Sequence, residues 1–389
     1  MAIVSLSSGA GVPLRATSAI DVTVVRVPHG GLQPEVVVDG RGTLHMIYFA
    51  GDPHAGDLFY VRSTDSGAIF SAPIRVNGGE GSAIAAGTIR GGQIAVGRGG
   101  RVHVSWNGSS RASPPGAVNP RTGRSGPGML YARSNERGTT FEPQRNLMQR
   151  SYLLDGGGSI AADAAGGVYV AWHAAAVAAP SESEGDRRVW IARSKDDGRT
   201  FAAEDPVWTE PTGACGCCGL RLFASRANTL YLLYRSAARV IDRDVYLLAS
   251  TDRGRTFRGS RVHEWEIGAC PMTSMSFAEQ RSRTLAAWET AGQVYFGAID
   301  PASPRVPAPR APTPGPTGRK HPRLAINGRG ETLLVWTEGT AWARGGAVGW
   351  QIFNDAGEPA GRTQARPGVP VWSFAAAVAR PDGGFTIFY

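Results

Sequence analysis

Three of the four cysteines in the chain lie in one short glycine-rich run, G-A-C-G-C-C-G, as Cys215, Cys217 and Cys218. The fourth, Cys270, follows in a second G-A-C run, just before Met272. Thiolate and thioether ligands select soft metal ions such as Cu(I), with Zn(II) next. Residues of this type and spacing therefore predict chemistry at sulfur, and three interpretations of that chemistry compete.

The first two interpretations involve no metal. Four cysteines allow three disulfide pairings, of which a vicinal Cys217–Cys218 bridge beside a Cys215–Cys270 bridge is the most natural. Alternatively, the cysteines are isolated buried thiols, because cysteine often serves as a small core residue.

The third interpretation is a soft-metal site. Its candidate ligands are Cys215, Cys217, Cys218, Cys270, Met272 and His321. The Cys-x-Cys-Cys spacing is not the Cys-x-x-Cys knuckle of structural zinc sites, and a chain of 389 residues needs no metal to fold. The sequence therefore favours copper over zinc as the cofactor.

A repeated strand-turn-strand pattern positions these residues. It is seen in Q-I-A-V-G-R-G-G-R-V-H-V-S-W and again in P-R-L-A-I-N-G-R-G-E-T-L-L-V-W, and its copies begin at Gln33, Gln93, Ser159, Cys218, Met272, His321 and Trp372. A four-stranded sheet cannot bury both of its faces alone, but sheets stacked around an axis can. The pattern predicts an all-β protein, a seven-bladed β-propeller of four-stranded antiparallel sheets, with six blades as the alternative.

We expect residues 1–389 to form a single domain. The last copy stops at Tyr389 after two strands, so segments within residues 1–28, Ala2–Leu6 and Asp21–Val27, are predicted to close the last blade. Residues 109–128 and 174–186 are predicted to be long loops. The proline-rich residues 301–319 are predicted to be a connector within the propeller.

Four segments carry a second signature, S-T-D-S-G-A-I-F at 63–70 and its counterparts at 134–141, 194–201 and 250–257. The copy at 134–141 has Glu136 at the Asp position. These segments resemble the Asp-box, or BNR, repeat of sialidase-like propellers. We interpret them as structural turns in which Ser and Asp side chains bond the backbone and Gly takes a positive φ.

The resemblance implies a glycoside hydrolase hypothesis that can be tested residue by residue. Sialidases use an arginine triad, a tyrosine nucleophile and an aspartate acid/base. Arg26 in V-R-V-P and Asp52 match the first arginine and the acid/base weakly, and no other catalytic residue is assigned. Trp372 occupies the position that matches the nucleophile, and tryptophan cannot form a glycosyl-enzyme intermediate. The sequence therefore disfavours sialidase activity.

In propellers of this kind, the turns that lead into the innermost strands gather at one mouth of the central channel. The register of the copies places the cysteines there, and the residues expected around the ligands or a substrate are Gln33, Gln93, Asp155, Arg235 and Trp372. His173 is a weaker candidate at the same mouth. We hypothesise a Cu(I)-binding propeller, either a copper-dependent oxidoreductase or a protein that only carries copper. The alternatives are a sialidase-like exo-glycosidase and a non-catalytic, disulfide-stapled binding protein.

Composition limits the partners. The formal net charge of +9 comes from arginines scattered along the chain, which argues against a nucleic-acid interface. No segment approaches the ~20 apolar residues of a membrane span. Residues 1–20 show no signal peptide, so we expect a cytoplasmic protein unless a leader was removed, in which case it is periplasmic or secreted. We expect a monomer that binds a small molecule or peptide at the mouth.

Overall fold

The computed structural model describes residues 20–176, 179–313 and 318–389 of the 389-residue chain. These residues form 26 β-strands and two 3-10 turns, Pro28–Gly30 and Arg98–Gly100, without an α-helix among them. No helix in this described part is long and apolar enough to cross a membrane. The all-β prediction is confirmed.

The strands form seven sheets, which are the blades of the predicted propeller. Blade 1 contains β2 (Leu32–Val38), β3 (Leu44–Asp52), β4 (Ala55–Ser63) and β5 (Ile74–Arg75). Blade 2 contains β6 (Gln93–Val96), β7 (Val102–Asn107), β8 (Met129–Arg133) and β9 (Arg145–Asn146). Blade 3 contains β10 (Ser151–Ala162), β11 (Val168–Ala176), β12 (Arg188–Ser194) and β13 (Ala202–Pro206). Blade 4 contains β14 (Arg221–Ala224), β15 (Leu230–Arg235), β16 (Val245–Ser250) and β17 (Arg258–His263).

Blade 5 contains β18 (Ser276–Gln280), β19 (Arg283–Thr290) and β20 (Gln293–Ala298). Blade 6 contains β21 (Arg319–Ile326), β22 (Thr332–Glu338), β23 (Gly346–Phe353) and β24 (Gln364–Val369). Blade 7 contains β25 (Ala376–Ala379), β26 (Phe385–Phe388) and β1 (Val22–Val25).

The chain closes where the sequence predicts. β1 adds to β26, with Val22 opposite Phe385 and Val25 opposite Phe388, although the pairing is parallel. Residues 2–6, the other predicted closing segment, lie outside the described residues. The prediction of seven blades is confirmed, and the six-bladed alternative is wrong.

Blades 5 and 7 each have three strands among the described residues in place of the expected four, and blade 5 shows a reason. Among the described residues its outer edge carries a single bridge, between Phe296 and Arg310, in place of a fourth strand. The connector at 301–313 is rich in proline, which has no N–H to donate to a ladder. This segment therefore covers the edge without forming a strand.

The core lies between neighbouring blades. The second strand of a blade is buried on both faces because it lies between two other sheets. Four tryptophans at equivalent ends of these strands are at most 1% exposed: Trp106, Trp172, Trp288 and Trp336. This interdigitation fixes the angular positions of the blades, and with them the loops at the channel mouth.

The S-x-D-x-G turns join the third and fourth strands, at the opposite end of the propeller from the cysteine loop. In residues 194–201, Ser194 Oγ accepts from Gly198 N at 2.9 Å, and Asp196 Oδ1 accepts from Thr200 N at 2.9 Å. In residues 134–141 the corresponding acceptor is Asn135 Oδ1, not the exposed Glu136. These turns therefore hold strands together away from the mouth.

Candidate functional site

The cysteine loop, residues 213–219, connects blade 3 to the innermost strand of blade 4. Its backbone is held at several points: Cys215 N donates to Arg235 O at 3.0 Å, and Gly216 N donates to Glu184 Oε1 at 2.6 Å. Cys218 N donates to Cys215 O at 3.3 Å, which closes a tight turn. The turn folds the three cysteines toward one another.

The three sulfur atoms form a compact group. Cys215 Sγ lies 3.4 Å from Cys217 Sγ and 3.3 Å from Cys218 Sγ, and all three lie within 4.8 Å of one another. Cys215 and Cys218 are fully buried, whereas Cys217 is partly exposed. Sulfur ligands about 2.3 Å from a tetrahedral metal ion lie roughly 3.8 Å apart. The two measured separations are somewhat shorter than this, so the three sulfurs are close enough together to share one ion.

Cys270 does not join this group. It is exposed, and all four cysteines are free thiols. The chain passes over the surface at Cys270 and enters the mouth only after Pro271, at Met272, whose φ is +48°. The expectation of four sulfurs in one cluster is therefore corrected to three.

The surroundings favour one thiolate among the three thiols. Burial opposes charge on Cys218, but hydrogen bonds from the Cys215 and Cys217 thiols, assisted by Arg235, hold the pKa of Cys218 well below its usual range. The Thr273 backbone N–H adds to this effect. The hydrogen bond with Cys215 raises the pKa of Cys217 far above its usual range, as do Cys218 and burial. These contacts favour ionisation of Cys218 over that of Cys217.

Arg235, predicted from sequence, lies beneath the sulfurs and is completely buried. Its Nη1 donates to Arg243 O at 2.5 Å, and its Nη2 donates to the backbone oxygen of Glu289. The contact of Nη2 with the Glu289 carboxylate is longer, 3.4 Å. Burial raises the pKa of Glu289 to about 7, and the nearby charge of Cys218 adds to the rise. Glu289 can therefore hold or release a proton near neutral pH.

Acidic and basic side chains flank the other side of the loop. Glu184 accepts from Arg243 Nη2 at 2.6 Å, and Asp155 accepts from Arg90 at 2.8 Å and from Arg187 at 2.9 Å. These groups come from blades 2, 3 and 4. These ion pairs and the buried Arg235 hold the loop in place from opposite sides.

Gly216 packs closely against the ion pairs of Asp155. A Cβ atom at Gly216 would lie 2.2 Å from Arg187 Nη1 and 2.4 Å from Asp155 Oδ2. The loop therefore rests directly on the Asp155 ion pairs, which is how this predicted residue contributes to the site.

His173, a weaker candidate from the sequence, lies beside the cysteine loop. It is fully buried, and neither ring nitrogen has a hydrogen-bond partner among the described residues. Burial lowers its pKa to about 4, and the charges of Cys218 and Asp155 only partly offset this. A Cβ at Gly156 would lie 2.6 Å from His173 Nδ1, so the glycine admits the ring. The imidazole is neutral, which is the form that binds metals.

Met272 and His321 are brought together across blades 5 and 6. Both line one small cleft, with Thr88 and Lys320 among the other lining residues. Both also adopt positive φ, +48° and +53°, a strained backbone that clusters at functional sites. Burial lowers the pKa of His321 to about 3, and its Nδ1 lies 3.2 Å from Ser274 Oγ. His321 does not belong to the group formed by the three cysteine sulfurs.

Trp372 lies at the same mouth. It has a φ of +62°, and its ring contacts Trp342 edge to face with centroids 4.7 Å apart. The Trp372 backbone oxygen accepts from Gln33 Nε2 at 2.7 Å, which ties blade 7 to blade 1. The structure thus places an aromatic pair, and no tyrosine, at this position.

Gln93 does not reach the mouth. It lies in a layer of polar side chains that crosses the channel, where its Nε2 donates to Glu35 Oε1 at 3.0 Å. Glu35 is 2% exposed and pairs with Arg221 at 2.9 Å and Arg323 at 2.6 Å. The layer separates the cysteine mouth from the rest of the channel.

The two glycosidase candidates lie apart from the cysteine loop. The Arg26 guanidinium is 4.2 Å from the centre of the Tyr389 ring and donates to Gly368 O on the outer strand of blade 6. Asp52 is exposed in the β3–β4 hairpin and accepts from the backbone of His54 at 2.9 Å. Neither contact arranges these residues around a common substrate.

Sequence reasoning missed several charged residues of the site. Glu184 and Arg187 fall in a loop with no motif. Glu35 and Arg221 carry a usable signal, since each is a lone charge near the start of an apolar innermost strand, whereas Arg323 follows two other charges in its strand. A charge inside such a run marks the interior of a channel.

No protein-family model matches the chain, and no curated protein matches it. Solved structures share its fold at low identity. A Hadza microbial sialidase superposes with a TM-score of 0.51 at 15% identity, over 84% of this chain and 70% of that chain. A protein of unknown function from Dyadobacter fermentans gives 0.54 at 14%, over 89% and 96%. The alpha-L-arabinanase of Penicillium chrysogenum gives 0.50 at 12%, over 88% and 99%. These likenesses show a sialidase-like propeller fold and nothing finer.

Proposed function

We propose that the chain is a copper-binding propeller whose thiols Cys215, Cys217 and Cys218 hold one Cu(I) ion at the channel mouth. The single observation that carries the proposal is the group of three sulfur atoms within 4.8 Å of one another. Such density of thiols on one rigid loop suits a soft ion.

The number of ligands supports copper over zinc. Structural zinc sites are four-coordinate, and here the described residues offer three thiols in one group without a fourth His, Cys, Asp or Glu ligand. Cu(I) is the softer ion, and soft thiolate ligands select it. Met272, a thioether on the adjoining blade, lies in the neighbouring cleft.

The charge around the sulfurs also supports the proposal. Three thiolates around one monovalent ion carry a net negative charge, which is costly when buried unless cations and N–H donors accompany it. Arg235 and Arg243 supply buried guanidinium groups, and the Arg243 pKa is raised by Cys215 and Cys217 against the effect of burial. Metal binding releases thiol protons, and Glu289 is the nearby carboxyl group able to accept one near pH 7.

The test is an anaerobic Cu(I) titration against a competing chelator. We expect one ion per chain, and at least a roughly 100-fold loss of affinity in Cys217→Ser and Cys218→Ser, since even outer contacts of a metal cost 10- to 100-fold. Cys270→Ser is the matched control, because that thiol is exposed and outside the group. Equal binding by all three variants would refute the site. Loss in Cys270→Ser would refute the three-thiol assignment.

The finer proposal is that the copper-loaded protein is an oxidoreductase. Copper would supply one-electron chemistry, and the partly exposed Cys217 leaves the site accessible from the mouth. Oxygen consumption with ascorbate as the reductant tests this. Turnover by wild type and Cys270→Ser but not by Cys217→Ser would support it, whereas stoichiometric copper binding without turnover would identify a carrier.

A glycoside hydrolase is the second candidate, favoured by the fold shared with a sialidase and an arabinanase. Asp52 would be its acid/base residue. Hydrolysis of a fluorogenic sialoside or arabinoside that Asp52→Ala abolishes would establish this candidate. We expect no turnover, because the exposed Asp52 and the distant Arg26 do not form a carboxylate-binding pocket.

A further inference from the structure

The channel continues beyond the polar layer as a cavity of about 280 Å³ that is lined mainly by apolar side chains. Its walls follow the polar layer along the innermost strands, so the cavity lies at the far end of the channel from the cysteines. The lining residues are Val36, Val37, Ile94, Ala95, Val96, Ile160, Ala161, Ala162, Leu222, Phe223, Ala224 and Phe277, together with Arg221. A second cavity of about 600 Å³ shares Phe223 and Ala224 with it and lies among the strand-connecting turns. The apolar cavity therefore has a route to solvent.

Arg221 is the one charged residue in the lining. Its Nη1 atom is used internally, since it donates to Glu35 Oε2 at 2.9 Å and to Gln93 Oε1. Its Nε and Nη2 groups make no hydrogen bond to any described residue, and its side chain is 18% exposed. Arg221 therefore lines the cavity while two of its guanidinium N–H groups have no partner among the described residues.

The polar layer carries an excess positive charge. Arg221 and Arg323 share a single carboxylate, that of Glu35, which is only 2% exposed. Arg323 Nε is also buried without a partner among the described residues. A buried excess cation is stabilised by an anion, and a carboxylate is the anion whose geometry matches a guanidinium edge.

We propose that this cavity binds a small monocarboxylate with an apolar tail. The carboxylate accepts two hydrogen bonds from the Nε and Nη2 groups of Arg221, and the tail contacts the wall formed by Phe223 and Phe277. At about 30 Å³ for each water-sized group, the cavity holds roughly nine non-hydrogen atoms, which corresponds to hexanoate or octanoate. A second charge on the ligand would be buried in the apolar wall without a partner.

The test is calorimetric titration of the full chain with hexanoate, with hexanamide as the neutral ligand of matched shape. We expect one site, with hexanoate binding at least about 10-fold more tightly, because a hydrogen bond to a charged group contributes roughly 1.5–3 kcal/mol. Arg221→Gln should remove that preference. Equal binding of the two ligands, binding of inorganic phosphate as tight as that of hexanoate, or no binding at millimolar concentration would overturn the proposal.

Two wall variants keep the test decisive should Arg221→Gln fail to fold. Ala162→Leu and Ala224→Leu enlarge side chains that line the cavity without touching the charged layer. Both should abolish hexanoate binding and leave Cu(I) binding unchanged, since the cysteine loop is at the other end. Unchanged hexanoate affinity in both variants would place the ligand elsewhere and refute the site.

Discussion

Replacement of Glu289 by glutamine tests the electrostatics beneath the cysteine loop. The Glu289 side chain is almost fully buried, its Oε1 accepts from Gly292 N at 2.6 Å, and its contact with Arg235 Nη2 is long, 3.4 Å. Glutamine keeps the acceptor for Gly292 while removing the titration. Arg235 keeps its two backbone carbonyl acceptors.

The size and sign of the effect follow from the pKa. Burial raises the pKa of Glu289 from 4.5 to about 7, and one pKa unit corresponds to about 1.36 kcal/mol. Below pH 4.5 the group is protonated in both folded and unfolded chains, so its full contribution to stability is present. That contribution, about 3 kcal/mol, is lost as the pH rises through 7. Most of it, about 2 to 3 kcal/mol, is lost between pH 5 and 8.

Urea unfolding isolates the contribution of Glu289 to the free energy of unfolding. Wild type and Glu289→Gln are compared in the presence of reductant at pH 5, 6, 7 and 8. The free energy of unfolding of the wild type should fall relative to the variant across this range, because the other titrating groups cancel in the difference. Glu358→Gln, an exposed glutamate paired with Arg310, controls for the loss of a carboxylate. A wild-type-minus-variant difference that stays constant with pH would refute the reasoning and show that Glu289 stays charged against Arg235.

Three further outcomes are expected. Gly216→Ala should destabilise the fold by roughly 1–3 kcal/mol and weaken Cu(I) binding, because the new Cβ would lie 2.2 Å from a guanidinium nitrogen; Gly268→Ala, with no atom within 4 Å, is the control in both assays. Glu35→Gln should lower the free energy of unfolding by about 3–5 kcal/mol, because two buried guanidinium groups lose their carboxylate; unchanged urea midpoints would contradict this. Iodoacetamide should alkylate Cys270 first in the native apo protein, and mass spectrometry that finds Cys218 modified as early would show that the loop opens.

The fold was predictable because its signal is repeated. Each innermost strand pairs with a second strand across a short turn, which contains glycine or aspartate in five of the seven blades, and seven copies fit a closed ring. The structure differs where local chemistry overrides the repeat. Prolines in 301–313 remove the N–H donors of a fourth strand in blade 5, and Asn135 replaces Glu136 as the side-chain acceptor in its turn.

Within the candidate site, only the residues whose positions follow from the register of the repeat copies were predictable. Register correctly brings Met272 and His321 together at one cleft, since each is the first residue of a copy of the repeat. It does not determine where a residue before the strand points, and Cys270 consequently lies at the surface. The paths of irregular loops are set by side-chain packing and ion pairs, so Glu184, whose partners lie in blade 4, had no signal in the sequence.

Buried cations help to decide between a metal and a disulfide at the cysteine loop. Arg187 Nε, Arg235 Nε and two N–H groups of Arg243 are buried without a hydrogen-bond partner among the described residues. Each such group costs about 1–3 kcal/mol. A disulfide would leave the bonded sulfurs neutral and these donors unmatched, and three protonated thiols would do the same. A metal-thiolate group keeps its negative charge at any physiological pH and would add a further anion to the carboxylates that already pair with these guanidinium groups, Glu184, Asp155 and Glu289. The unpaired N–H groups around the loop therefore add to the argument for a bound soft ion that rests on the three clustered sulfurs.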